Sequence, residues 1–295
     1  MSENHSTSPL QAFSGTLSGL VAGAAKHVVG VHSHRSRASG FILRPGLIVT
    51  ASEALAEEGE ISVTFPGGEA AAATLVGRDP TTDIALLRVE RADLPPASLD
   101  TSPVAAGALA LVVSAHDGDA IAALGVVSRS GGAWRSMRGG EIAARIELDV
   151  ALRRSGEGGL ALDAAGRAFG MAVFGPRRRV LVIPAATIGR VAARLETHGR
   201  VARGYLGLAL QPVRLSGDAG AGIMVMSADA GGPGAAAGVR QGDVIVTWDG
   251  EAIRSVRALL RSLGPESVGA TVALSLQRSG EPVEVSLMIG ERPAA

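Results

Sequence analysis

The residues of this chain that could do chemistry are six histidines, a scatter of carboxylates and a glycine-rich loop around an acid. That loop lies in "RRSGEGGLALDAAGRAFGMAVFG", residues 153–175, where Glu157 stands between glycines. No cysteine is present, so disulfides and thiol nucleophiles are excluded. The histidines are His5, His27, His32, His34, His116 and His198, with none between His34 and His116. His32 and His34 alternate along a strand-like run and should face one side. A pair without a third ligand is not a metal site, so no metal is expected. His198 ends a helical segment, where a partly positive side chain suits the helix dipole. No serine pairs with a histidine in a usable arrangement.

Bulk properties bound what those residues can serve. At 295 residues, two domains are the default. Twenty-eight basic against 28 acidic residues argue against a nucleic-acid partner. Only 19% of residues are charged and mean hydropathy is +0.28, which fits a large core. Aromatics are 3%, so Ala, Val, Leu and Ile must build that core. Forty glycines without a collagen period point to tight turns and β structure. "LSGLVAGAA" (17–25) is apolar but short, and Lys26 and His27 follow it. No stretch reaches the roughly 18 apolar residues of a membrane span. The start, Met-Ser-Glu-Asn-His, lacks a basic signal region, so a cytoplasmic protein is expected, or a periplasmic one if the start is misassigned.

About ten short apolar runs precede residue 185, among them "HVVGVHSH" (27–34), "GFILRPGLIVTAS" (40–52), "IALLRVE" (84–90), "ALALVVSA" (108–115) and "RVLVIP" (179–184). Gly, Pro and charged turns separate them at roughly 8–12-residue spacing, the pattern of a sandwich or barrel. "AATIGRVAARLETHG" (185–199) is then a helix: Ile188, Val191, Ala192 and Leu195 form one stripe and Gly199 caps it. A boundary is expected at about 199–204. Beyond it, "GYLGLALQPV" (204–213) and "GIMVMSA" (222–228) read as strands. A short small-residue helix, a Gly242-Asp243 turn and an Asp249-Gly250 hairpin follow. "SVRALLRSLG" (255–264) is a helix that Ser255 and Gly264 can cap, and Ser279-Gly280 turns a last hairpin.

The order "YLGL", "AAAGVRQGDVIVTWDGEAI", "VALSLQRSGEPVEVSLMIG" resembles a PDZ domain of the bacterial HtrA/Deg type. The resemblance implies binding of C-terminal or unfolded peptide segments, which add as a strand beside residues 207–210. The peptide carboxylate would meet N–H groups around Tyr205, Leu206 and Gly207, with Gly207 allowing close approach. Its last side chain would enter an apolar pocket of Leu206, Leu208, Val256, Leu259 and Leu260.

The first part resembles the same family. "ASGFILRPGLIVTASEAL" (38–55) is similar to the opening strands that lead to the base histidine of trypsin-like proteases, and "GRDPTTDIALLRVE" (77–90) to the segment of the orienting aspartate. The loop at 153–175 is similar to the nucleophile loop, and "VLVIPAATI" to the closing strand and helix. The implied fold is mostly β: a two-barrel trypsin-like domain over 14–199, then one PDZ domain over 200–292. The resemblance puts Glu53 at the base position, Asp83 at that of the orienting acid and Glu157 at that of the nucleophile. Ser155, before Gly156, stands where a glycine usually lends an oxyanion N–H, and positive φ disfavours serine.

In that fold the three acids converge, and like charges so close must share protons, recruit arginine or bind a cation. Arg153, Arg154 and the loop Arg177, Arg178, Arg179 lie near in the family's topology, so an Arg–Glu network is expected. The leading expectation is a pseudoprotease that binds peptides through its PDZ domain, in the family's setting of bacterial protein quality control. An active serine endopeptidase with an unrecognised triad and a divalent-cation cleft are the alternatives. A sugar-hydrolysing acid pair is remote, because two Trp and one Tyr offer no sugar platform. No cofactor is expected, and a homo-oligomer is within the family's range.

Overall fold

The computed structural model describes residues 8–34, 36–214, 221–253 and 255–293; His5 lies outside them. The chain divides into two compact units, Met1–Ser136 with Glu141–Arg200, and Met137–Gly140 with Val201–Ala295.

Helix α1 (Pro9–Ala25) opens the first unit. Its start is a capping box: Ser8 Oγ accepts the Gln11 N–H at 3.2 Å, and Gln11 Oε1 accepts the Ser8 N–H at 3.0 Å. The apolar stretch 17–25 is therefore the second half of a longer helix, whose start signal, Ser8-Pro9-x-Gln11, lies upstream. No helix among the described residues is long and apolar enough to cross a membrane.

Strands β1 (Val28–Ser33), β2 (Ser36–Arg44), β3 (Leu47–Thr50), β4 (Ile61–Thr64), β5 (Ala70–Asp79) and β6 (Ile84–Arg88) close a barrel in the order β1-β2-β3-β6-β5-β4. Strands β7 (Leu109–His116) and β8 (Asp119–Gly131) begin a second one, interrupted by a ribbon of β9 (Trp134–Arg135) and β10 (Glu141–Ile142). Strands β11 (Arg145–Asp149), β12 (Leu160–Leu162), β13 (Ala168–Phe174) and β14 (Val180–Pro184) complete it in the order β11-β14-β13-β12-β7-β8. Closure leaves no strand edge exposed for aggregation. Aliphatic residues fill both cores: Phe65 is the aromatic of the first cluster and Phe169 the buried aromatic of the second. Helix α2 (Ala185–His198) buries the stripe Ile188, Val191, Ala192 and Leu195, and Gly199, at φ 68°, donates to the Leu195 carbonyl at 2.8 Å.

The second unit carries strands β15 (Gly204–Tyr205), β16 (Leu208–Arg214) and β17 (Ala221–Ala228), helix α3 (Pro233–Ala236), then β18 (Val244–Trp248) and β19 (Glu251–Ala252). Helix α4 (Val256–Arg261) and strands β20 (Thr271–Arg278), β21 (Glu281–Met288) and β22 (Gly290–Glu291) follow. The sheet runs β16-β17-β18-β20-β21, with β19 on β18 and β15 paired with β22. Both hairpin turns have two left-handed residues, Asp249-Gly250 and Ser279-Gly280, as the right-handed twist of a hairpin requires. Ser255 caps α4 by accepting the Ala258 N–H at 3.1 Å. The helix stops at Ser262, not at Gly264, which instead precedes a single 3₁₀ turn at Pro265–Ser267.

Asp243 is 1% exposed in this unit. Its carboxylate accepts Arg278 Nε and Nη2 at 2.9 Å each, and the Arg240 N–H at 2.8 Å. The Arg278 guanidinium, first among its causes, holds the Asp243 carboxyl below the usual range. A lowered folded-state value means that this contribution is full above the unfolded value of about 4 and is lost as pH falls through the folded value. Arg278→Ala would leave a buried charge without its partner. The expected cost is roughly 3 kcal/mol, read as a lower melting temperature for the second unit, with the deficit shrinking in acid.

Candidate functional site

The acidic positions are carried by three different elements of the first unit. Glu53 sits on a single 3₁₀ turn, Ser52–Ala54, just after β3; Ser52 and Ala54 are buried, while Glu53 faces outward. Asp83 is presented by "DPTTD". Buried Asp79 accepts the Thr81 N–H at 3.1 Å, the Thr81 hydroxyl at 2.6 Å and the Thr82 hydroxyl at 2.7 Å. This tight turn leaves Asp83 at φ 58°, a backbone that aspartate tolerates better than most residues. Asp83 Oδ1 then accepts the Glu53 N–H at 2.7 Å, so the Asp83 carboxylate is joined to the backbone of Glu53.

Glu157 follows a second 3₁₀ turn, Arg154–Gly156. Its carbonyl accepts the Ser39 N–H at 2.7 Å, and Ser39 Oγ donates to the Ser155 carbonyl at 2.6 Å. Ser39 Oγ also accepts the Ala115 N–H at 3.0 Å, and the Thr50 hydroxyl donates to the Ser39 carbonyl at 2.7 Å. Two fully buried hydroxyl residues thus hold the loop to both barrels. The residue that needs to be glycine is Gly158: at φ 86°, a Cβ there would lie 2.0 Å from the Ser39 carbonyl oxygen. Ser155 is not at positive φ, which corrects the expectation of strain there; the 3₁₀ turn accommodates serine. In that turn the Gly156 N–H donates to the Arg153 carbonyl at 2.9 Å and the Glu157 N–H to the Arg154 carbonyl at 3.2 Å.

The Glu157 side chain turns toward β13, where Oε1 accepts the Phe174 N–H at 3.3 Å. Burial, foremost, pushes the Glu157 carboxyl above the usual range; the Phe174 N–H opposes this, the Glu53 charge adds to it, and Arg154 opposes it from a distance. Glu157 therefore senses the charge of Glu53. Among the described residues no arginine forms an ion pair with Glu157. The arginine network expected at Glu157 is not formed there among the described residues; arginines gather instead around Glu147 on β11. Arg145 Nε donates to Glu147 at 2.7 Å, Arg179 lies at 3.3 Å and Arg129 at 3.5 Å. Arg145 also stacks on Trp134 at 4.7 Å, and Arg178 on Phe174 at 5.4 Å. The hydrogen bond from Arg145, above all, lowers the Glu147 carboxyl. The physical reason for the difference is burial: Glu147 is nearly enclosed and must be paired, whereas Glu157 has a backbone N–H and an outlet toward neutrality. No group of three or more potential metal ligands gathers among the described residues.

In the second unit, β16 pairs with β17 on one side and is the edge of the sheet. Helix α4 packs near it. Gly207 stands at φ 66°, and a Cβ there would lie 2.9 Å from the Gly232 Cα. The Gly207 carbonyl accepts the Asp229 N–H at 2.9 Å, and the Leu206 carbonyl accepts the Gly234 N–H at 2.7 Å. The Tyr205 hydroxyl donates to Asp229, tying the same turn to β15. Among the described residues the Leu206 and Gly207 N–H groups donate to nothing. Leu206 and Leu259 belong to the core, Leu208 and Val256 pack partly buried against it, and Leu260 is 54% exposed.

Residues 38–171 match the model of a trypsin-like peptidase domain and 204–289 that of a PDZ domain. A probable periplasmic serine endoprotease, DegP-like, from Rhizobium meliloti is 30% identical over 276 residues, covering 88% of this chain and 54% of the relative. Its counterpart from Bartonella henselae is 31% identical over 280 residues, covering 88% and 55%. The chain thus spans about half the length of the curated relatives it matches. The crystal structure of the serine endoprotease from Yersinia pestis superposes with TM-score 0.72 at 25% identity, over 94% of this chain and 98% of that one. An HtrA-type protease, AlgW, with a decapeptide shares the fold at TM-score 0.72 and 24% identity, over 95% and 99%. The relatives are named periplasmic, which overturns the cytoplasmic expectation; that expectation rested on the first residues of the sequence, which do not decide compartment.

Glu157→Gln keeps an oxygen for the Phe174 N–H and removes the charge that burial and Glu53 disfavour. The variant should melt roughly 1–3 °C higher at neutral pH. A carboxyl raised in the folded state is penalised above its folded value, and the penalty fades as pH falls toward the unfolded value of about 4.3. The advantage of the variant should therefore shrink in acid. Melting curves of both proteins from neutral pH down to pH 4 check this.

Proposed function

Because this chain belongs to the HtrA/DegP-like family of trypsin-like serine endopeptidases with one PDZ domain, we propose that it is a non-catalytic member acting as a peptide-binding protein. The observation that carries the proposal is the identity and setting of Glu53 and Glu157. In our assignment Glu53 holds the place of the base histidine, Asp83 that of the orienting acid and Glu157 that of the nucleophile, within a protease-fold domain taken as 14–199. Acyl transfer needs a base, an activated hydroxyl and donors aimed at the developing oxyanion. Glu157 offers no hydroxyl, and its N–H, which would serve as one oxyanion donor, is spent on the Arg154 carbonyl. The Ser155 hydroxyl makes no hydrogen bond to a histidine among the described residues, which argues against a displaced nucleophile.

Binding falls to the PDZ domain, taken as 200–292. A peptide strand would add to the free edge of β16, and its carboxylate would accept the Leu206 and Gly207 N–H groups. Leu208, Val256 and Leu260 would meet the last side chain, over a floor of Leu206 and Leu259. Tyr205 acts as a positioning residue through Asp229. In this reading the work is done in the periplasm, which the names of the relatives support, on C-terminal or unfolded segments of partner proteins.

Two outcomes are expected. Purified protein should neither hydrolyse casein nor take a fluorophosphonate label at Ser155. The double variant Glu53→His, Glu157→Ser should remain slow, because the 3₁₀ turn keeps the N–H of residue 157 on the Arg154 carbonyl and one missing oxyanion donor costs roughly 10²–10³ in rate; vigorous casein hydrolysis by the double variant would refute this account of the loop. Secondly, the full chain should bind peptides with a free C-terminal carboxylate, and Gly207→Val should abolish that binding while leaving the first unit's melting unchanged. Equal binding of an amidated peptide, measured by fluorescence anisotropy, would count against the carboxylate loop.

A further inference from the structure

An open pocket in the first unit is lined by Ser36, Arg37, His116, Arg154 and Ser155. It lies where the β1–β2 and β7–β8 hairpins meet the 3₁₀ turn that precedes Glu157. Asp117, at φ 51° in the β7–β8 turn, is already engaged. Arg37 Nη1 donates to both its oxygens, at 3.0 and 2.8 Å, and His32 and His116 present Nε2 at 3.7 and 3.5 Å. Arg154 differs: it is exposed and makes no hydrogen bond or ion pair among the described residues. Glu157, which feels its charge, is bonded to the Phe174 N–H instead. The hydroxyls of Ser36 and Ser155 likewise have no partner among the described residues.

The pocket therefore gathers donors whose acceptors are not supplied by the described residues. A guanidinium offers a planar fork of N–H groups, and each serine adds an O–H. Their natural complement is a group with several acceptor oxygens and a negative charge. The frame is stiff: the Ser155 carbonyl is held by Ser39 Oγ at 2.6 Å, and Arg37 is fixed by two contacts to Asp117.

We propose that this pocket is an oxyanion-binding subsite for a carboxylate or phosphate group, with Arg154 as its principal cation. His116 and the Ser36 and Ser155 hydroxyls complete the donor set, and Arg37 adds field from behind Asp117. The group can come from a free anion or from an acidic side chain of a peptide lying along the barrels, and this assignment does not depend on the PDZ reading.

The full chain would be titrated in two arms. One uses inorganic phosphate, followed by calorimetry; the other uses a C-terminally amidated peptide carrying a central Glu, and its Gln twin, followed by anisotropy. Amidation keeps the PDZ carboxylate loop out of the result. Arg154→Ala, which should melt close to the parent because the Arg154 side chain forms no hydrogen bond or ion pair among the described residues, is expected to weaken binding about fivefold or more. His116→Gln should weaken it less, as a second probe of the same pocket. Arg154-dependent phosphate binding alone supports the subsite with a free anion as its source. An Arg154-dependent preference for Glu over Gln supports it with a peptide as the source. If neither arm responds to Arg154→Ala, the proposal is overturned.

Discussion

The buried hydroxyl of Ser39 is the contact on which the first unit's architecture turns. A single side chain accepts an amide from the second barrel, donates to the Ser155 carbonyl and sits beside an amide that donates to Glu157. Thr50 closes the system by donating to the Ser39 carbonyl. In a fully buried setting each of these groups would be costly to leave unmatched, so the arrangement is close to all-or-none. Gly158 reads the same constraint from the other side, since a Cβ at 2.0 Å from that carbonyl cannot be accommodated. The loop carrying Arg154, Ser155 and Glu157 is thus positioned by a seam between barrels, not by its own residues. Whatever those residues do, they do at fixed places.

The same logic separates the two kinds of acid in this molecule. Glu147 and Asp243 are enclosed and are met by guanidinium groups that keep them ionised. Glu157 is enclosed enough to lose hydration, yet it receives one backbone amide and a distant arginine. An acid of the first kind is structural capital that a fold cannot easily surrender. An acid of the second kind is tolerated, and it marks a position whose side chain is not chosen for stability.

Much of the fold could be read from residue order. The stripe Ile188, Val191, Ala192, Leu195 with Gly199 specifies α2 at both ends, and Asp249-Gly250 and Ser279-Gly280 specify two hairpins, because only a few residue types reach left-handed backbone cheaply. Asp83 could be located from "DPTTD". What failed was reading that required knowledge of neighbours. The apolar run 17–25 does not by itself reveal α1, because its start signal is the polar pair Ser8 and Gln11 upstream of the run. Gly264 resembles a helix cap, but the helix is already capped at Ser262. The arginines of "PRRR" lie near Glu157 in the family's topology, while burial of Glu147, invisible in a sequence, claims Arg179.

The scarcity of aromatic residues has a spectroscopic consequence. The two tryptophans fall one to each unit. Trp134 donates its indole N–H to the Ala144 carbonyl at 3.2 Å and lies under the guanidinium that binds Glu147. Trp248 is half-buried against the core of the second unit, at the β18–β19 hairpin. A cation stacked on an indole and an aliphatic wall beside one are different photophysical surroundings. The protein consequently carries a native emission reporter in each unit, so single-tryptophan variants would resolve the loosening of one unit from that of the other without any added dye.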